Sequence, residues 1–377
     1  MNDSHSEDGM SMQKGVSIFS ICFVLLALSG WLGACAKNTN LLPHSVYSLC
    51  CSRGDYQVWK MEADGTTTTQ LTNEQLGVDV FSVSRADGSL AFVSGNQLLL
   101  VDPAGKNRRL VAESPKGDQG SYDAYAGSPV FSPDGRTLAF DLGGLHLYDV
   151  ASGEDKRVLT DGGNLLGETF VFSKENYTPG PWSPDGDKLL IIMSYFEGST
   201  LAIMEPDKAE SFRRLRSNGP VCCTYHWTPD GSSVLVANPW YGNDWPGLWR
   251  YNAETGEEFE LVTTLPGQSR FVGWPVQLPS GDLLYFYGEK FTFEEGIPLV
   301  MVRSSSDGGN RTQIRPEEFQ IADALWAEDG SLALILTFLG DRNLESSTAQ
   351  IVLARPDSSP LQILLEVKDI LQMAWGP

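Results

Sequence analysis

Histidine, cysteine and positive charge are all scarce in this chain, and each scarcity removes a class of function. The four histidines among 377 residues are His5, His44, His146 and His226. They lie far apart and never take the His-Glu-x-x-His spacing of a zinc protease, so neither a metal nor a base role is assigned to them. No Gly-x-Ser-x-Gly pentapeptide occurs, which removes the strained turn that presents the nucleophile of an α/β-hydrolase. Against 48 Asp and Glu stand 27 Lys and Arg, for a formal charge of −21. Such a surface repels phosphate backbones, and nucleic acid is not expected as a partner. What the chain does have is 38 Gly, 21 Pro and 41% hydrophobic residues. That composition suits a β-rich globular protein with a large core and speaks against general disorder.

The N-terminus carries a targeting signal. Val16–Trp31 is an uncharged apolar run, and Leu32-Gly33-Ala34-Cys35 follows it. The arrangement resembles a bacterial lipoprotein leader, in which small residues before the cysteine admit the signal peptidase and the thiol is alkylated by diacylglycerol. By that resemblance 1–34 is a signal peptide, Cys35 is the lipidated first residue, and 35–44 is a tether to the membrane. Asp3, Glu7 and Asp8 depart from the basic start of such leaders, where only Lys14 helps; Met10 or Met12 is an alternative start. An uncleaved anchor is the competing reading, since about 20 apolar residues span a bilayer. Either way the remainder is expected outside the cytoplasm, in the cell envelope.

Internal repeats point to the fold. Residues 129–135 read PVFSPDG, 181–186 PWSPDG and 226–231 HWTPDG, with looser copies at 84–88, 278–281 and 326–330. The closing glycines Gly88, Gly135, Gly186, Gly231, Gly281 and Gly330 are 45 to 51 residues apart, the length of a four-stranded propeller blade. In each copy proline presets φ, aspartate bonds back to the backbone, and glycine accepts a positive φ that closes a hairpin. Second strands such as Thr137–Phe140 and Leu283–Tyr287 follow, then third strands ending in polar turns, then short fourth strands. In the first blade Val46–Cys50, Gln57–Met61 and Thr69–Thr72 supply all but the inner strand. Leu371–Pro377 matches the approach to Trp182-Ser183-Pro184 and supplies the missing one. The expectation over 45–377 is an all-β, seven-bladed β-propeller, closed by pairing of the C-terminal strand with the first blade.

The repeated WSPDG-plus-strand pattern resembles the TolB-type, WD40-like propeller repeats found in the Tol–Pal propeller protein, in prolyl-oligopeptidase-like peptidases and in secreted lipoproteins. Within residues 1–377 the pattern brings neither the separate domain that precedes the propeller in TolB nor the hydrolase domain that follows it in the peptidases. The resemblance therefore implies a binding module with its partner unspecified. Phe131, Trp182, Trp227 and Trp326, each four residues before a turn glycine, recur with the repeat and are expected to pack between blades. Ser305, Asp307 and Gly309 weakly imitate a sialidase Asp-box, a structural element in that family.

Strand order separates two faces. Inner strands end at the SPDG turns and third strands at the polar turns, so the tight connections share one face and the long loops the other. Long loops in a compact domain are often functional. These loops carry Tyr122, Tyr125, Phe170, Tyr177, Trp240, Tyr241, Asp244, Trp245, Phe291 and Phe293. Flat rings and carboxylates there would stack on sugars or peptide side chains and bond hydroxyls; alternatively the rings pin the loops to the blade tops. Cys50-Cys51 and Cys222-Cys223 are either disulfide-bonded, as the compartment permits, or buried thiols. No cofactor, metal set or catalytic residue is singled out. The expected function is recognition of a protein, peptide or glycan by a monomer held at the membrane through lipid. The alternative is a propeller glycoside hydrolase or lyase with channel carboxylates.

Overall fold

The computed structural model describes residues 40–51, 55–114, 126–162, 175–195, 198–208, 212–215, 224–239, 247–263, 270–291, 296–339 and 348–377. Leu41–Pro377 forms one compact unit. Its strands assemble into seven four-stranded antiparallel sheets, the blades of a propeller. The inner strands of blades two to seven are Val80–Val83, Gly127–Phe131, Asn176–Trp182, Thr224–Trp227, Phe271–Gln277 and Ile321–Trp326. Blade one takes its inner strand from the other end of the chain, Ile370–Trp375, beside Val46–Cys50, Gln57–Met61 and Thr68–Gln70. Val46 pairs with Trp375, Ser48 with Met373 and Cys50 with Ile370. Each inner strand touches the next in cyclic order, and blade one touches both blade two and blade seven. The expected closure is therefore present. Among the described residues no helix is long and apolar enough to cross a membrane.

The alternation of strands explains the core. Successive side chains of a strand point to opposite sheet faces, and in a propeller both faces of every blade are covered. Leu90 and Phe92 pack toward blade one while Ala91 and Val93 pack toward blade three. Leu189, Ile191 and Met193 face blade three, and Leu190 faces blade five. Second strands consequently read as continuous apolar runs such as Leu90–Ser94 and Ser233–Asn238, buried at every position. The result is seven apolar clusters, one between each pair of neighbouring blades.

The repeated motif has two mechanical roles. Its turn closes on itself: Asp134 accepts from the Ser132 hydroxyl at 2.6 Å and the Arg136 N–H at 3.1 Å, and Asp185 and Asp230 repeat the pattern. Gly135 and Gly186 take φ of +71° and +78°, values that a side chain disfavours. Hydrogen bonds from the neighbouring hydroxyl, above all, hold the carboxyls of Asp134, Asp185 and Asp230 below the usual range. The aromatic residue ahead of the turn reaches the preceding blade. The indole N–H of Trp182 donates to Val130, that of Trp227 to Pro181, that of Trp326 to Trp274 and that of Trp375 to Trp326. Packing between blades, rather than ligand contact, is thus the role of these rings.

A second interblade device has no motif in the sequence. Outer-strand Arg109 donates to the Val150 carbonyl in the next blade's polar turn, Arg213 donates to Ala253, and Arg315 donates to Arg355. Arg355 in turn reaches the Leu41 carbonyl at 3.5 Å. Scarce arginines are thereby spent on the rim. The Asp-box imitation is such a polar turn: the Ser305 hydroxyl and Gly309 N–H both bond Asp307. Cys50 and Cys51 are disulfide-bonded to each other, while Cys222 and Cys223 lie outside the described residues.

Candidate functional site

Of the ten loop residues singled out by sequence, Tyr122, Tyr125, Phe170, Trp240, Tyr241, Asp244, Trp245 and Phe293 lie outside the described residues, as does Cys35. Tyr177 and Phe291 are described. Tyr177 is 7% exposed and packs in the core between blades three and four. Phe291 packs, partly buried, against the core between blades six and seven. Tyr177 thus belongs to the inner strand Asn176–Trp182 and not to a loop, whereas Phe291 follows the second strand of blade six.

Around Tyr177 the face carries a charged constellation. Its hydroxyl donates to Glu175 at 2.6 Å, and Arg214 donates to the other Glu175 oxygen at 2.6 Å. Glu175 is buried, so its charge is stabilised by both donors rather than by water. Burial and then the Glu175 hydrogen bond push the Tyr177 hydroxyl well above its usual pKa. Asp161 accepts from the Tyr177 N–H at 3.0 Å. Close to these groups, at the end of the second strand of blade three, burial pushes the Asp141 carboxyl up to about 6. Sequence placed Tyr177 and Glu175 on this face but did not join them to Arg214 or Asp141, because Arg214 comes from the outer strand of the same blade and Asp141 from the neighbouring blade.

A second constellation lies on blade six. The Tyr287 hydroxyl donates to Glu289, and the Arg311 guanidinium carbon sits 5.6 Å from the centre of the Tyr287 ring. Arg270 Nε lies 3.9 Å from Glu289. Burial, then Glu289, pushes the Tyr287 hydroxyl up to about 12. These groups border a cleft of about 430 Å³, a volume in the range of small-ligand sites.

The central wall is poor in charge. Among the described inner-strand residues the one carboxylate is Asp323. It accepts from the Trp274 indole at 3.0 Å and from the Ala324 N–H at 2.9 Å. Burial outweighs these donors and pushes its pKa up to about 6. The sign follows: the folded state binds the proton more tightly than the unfolded chain, whose carboxyl titrates near 4. This stabilisation is full below about pH 4 and lost as the pH rises through about 6. Asp323→Asn should remove that slope and be about 3 kcal/mol more stable than the parent at pH 7. Denaturant unfolding from pH 4 to 7 tests this; parallel curves for the two proteins would contradict it.

No family model matches the sequence, and no curated protein is similar to it in sequence. Solved structures are similar in fold. An oligogalacturonate lyase from Vibrio parahaemolyticus is 12% identical with a TM-score of 0.55, over 85% of each chain. An oligogalacturonate lyase in complex with manganese is 13% identical with a TM-score of 0.54, over 84% of this chain and 83% of that one. TolB from Acinetobacter baumannii is 14% identical with a TM-score of 0.46, over 88% of this chain and 82% of that one. Among the described residues no three His, Cys, Asp or Glu gather so as to hold a metal ion. At these identities the likeness is one of fold, and the fold is a seven-bladed β-propeller of four-stranded blades whose inner strands end in the SPDG-type turns.

Proposed function

We propose that the chain is an extracytoplasmic, lipid-anchored binding module that recognises a protein, peptide or glycan on its long-loop face. The observation that carries the reading is the contrast between the two faces. On one, near-identical short turns use their own aspartates and hydroxyls to close themselves. On the other, the ends of longer connections expose Arg214, Glu289 and Lys290, with buried Glu175 and Tyr177 beneath Arg214. Self-satisfied turns have little left to offer a partner, whereas charged and aromatic groups held from beneath are suited to contact.

Within this reading Cys35 carries the lipid. It is nine residues before His44, a tether of about 30 Å when extended. The chain then enters blade one on the tight-turn face, which directs the long loops away from the membrane. Cys35→Ala should abolish incorporation of a labelled fatty acid; retained label would remove the anchor from the proposal.

Trp240, Tyr241 and Trp245, beside Asp244, are the proposed anchors, since large rigid rings lose little entropy on binding and often dominate an interface. Replacing Trp240 and Trp245 together with alanine should abolish binding to a ligand found on glycan and peptide arrays, with the melting curve unchanged. Arg136→Ala, on the opposite face, should bind normally. A tryptophan variant that binds as well as the parent would move the site elsewhere.

A second reading, a lyase or hydrolase acting on a glycan, is favoured by the fold likeness to oligogalacturonate lyases. The same array distinguishes them: turnover of a bound glycan supports an enzyme, and saturable binding without turnover supports the module.

A further inference from the structure

The cleft on blade six brings two cations together in an acidic protein. Its floor is apolar, formed by Pro298, Val300 and Val302. Its walls bring Lys290, Arg311 and Glu318 together, with Gln313 between strands. Glu289 also borders it, but that carboxylate already accepts from Tyr287 and faces Arg270. The remaining charges are two cations against one carboxylate, in a chain where acids outnumber bases by 48 to 27. A local surplus of positive charge set against the field of the whole protein marks a place for an anion.

Arg311 decides which anion. Its guanidinium lies over the Tyr287 ring, an arrangement that fixes its plane and leaves its N–H edge directed outward. The ring is itself held, through its hydroxyl, by Glu289. Among the described residues no carboxylate pairs with Arg311 or Lys290. A planar guanidinium that no described carboxylate engages suits a carboxylate ligand, which it meets with two parallel hydrogen bonds. The valine and proline floor suits an apolar body attached to that carboxylate.

We propose that the blade-six cleft binds a compact organic carboxylate with an aliphatic body, the chemistry presented by the free C-terminus of a peptide ending in an apolar residue. Arg311 is the specificity-determining contact and Lys290 a supporting charge. Gln313 keeps one amide N–H on the Arg315 carbonyl, at 2.7 Å, and has its second to offer. The site is built from residues between Tyr287 and Glu318 and makes no use of Trp240 or Trp245, so either proposal can fail without the other.

The test is titration calorimetry on the full chain with N-acetyl-leucine, N-acetyl-leucinamide and glucuronate. N-acetyl-leucine should bind with saturation, and the amide, which lacks the charge, should bind at least tenfold more weakly. Arg311 is exposed, so Arg311→Gln should melt like the parent while losing at least tenfold in affinity for N-acetyl-leucine. Trp240→Ala with Trp245→Ala should leave this binding unchanged. Glucuronate, which has the charge but a hydroxylated body, should bind at least tenfold more weakly, and binding as tight as that of N-acetyl-leucine would overturn the aliphatic part of the proposal. Equal binding of acid and amide, an unaffected Arg311→Gln variant, or no binding of any probe would overturn the proposal.

Discussion

Deleting Leu371–Pro377 should leave a protein that no longer unfolds cooperatively at the parent's temperature and that aggregates on concentration. The segment is the inner strand of blade one, paired along Val46–Cys50. Its removal takes away buried Ile370's neighbours Met373 and Trp375, which belong to the core between blades seven and one. Loss of a buried tryptophan alone costs roughly 3–5 kcal/mol, a large share of the 5–15 kcal/mol that holds a typical domain folded. The Trp326 carbonyl also loses its indole donor, and Gln372 no longer bonds both the N–H and the carbonyl of Phe81 on blade two. The inner edge of Val46–Cys50 would then be unpaired, and an open edge templates association. Thermal melting and size-exclusion chromatography measure both effects. A truncated chain that melts and elutes like the parent would show that this strand does not close the ring.

The second large effect is expected at Arg315, the largest side chain among the fully buried ones. Two of its nitrogens grip Glu317, at 3.1 and 2.9 Å, while it also donates to the carbonyls of Arg355 and Ser359. The guanidinium fork thereby ties the outer loop of blade six to the polar turn of blade seven. Arg315→Met keeps much of the volume but leaves Glu317 without its partner and two partly buried carbonyls without donors, and should cost about 3 kcal/mol. Arg315→Lys should recover only part of this, because an ammonium cannot reproduce the planar fork. Glu317→Gln should cost less, since that side chain is partly exposed. Urea unfolding of the three variants gives the order; a Met variant as stable as the parent would mean the clasp contributes nothing net.

Much of this fold is legible in the residues because a propeller blade repeats its local chemistry. The turn at 132–136 needs a hydroxyl, an aspartate and a glycine within a few residues, so proximity in sequence and in space coincide. The same holds for the alternation that sends Leu90 and Ala91 to opposite cores. The blade-one strand could be placed at the other terminus because a repeat with a missing member states what is absent. Strand ends shifted by a residue or two, as where Thr137–Phe140 extends to Asp141, since pairing with the next strand continues beyond the apolar run.

The site was far less legible. Aromatic loop residues can be recognised as candidates, yet Tyr177 could not be told from a ligand contact until its burial and its bond to Glu175 were seen. Glu175 and Arg214 are 39 residues apart, and no local pattern announces their meeting. Arg109 and Arg213 read as ordinary polar residues of short outer strands, and Arg315 as one just past such a strand. Their clasp depends on the carbonyl of the next blade, which only ring geometry supplies.

By itself, then, the sequence determined the blade number, the order of strands, the closing strand and the face on which the long loops lie. Each of these follows from periodicity two within strands and from a turn chemistry that recurs every blade, both of which are local. Tertiary structure alone decided which charges meet, that Asp323 is the one carboxylate among the described inner-strand residues, and that Tyr287, Arg311 and an apolar floor share a cleft. Those outcomes depend on how strands far apart in sequence pair within a blade and how neighbouring blades pack, neither of which leaves a spacing along the chain to read.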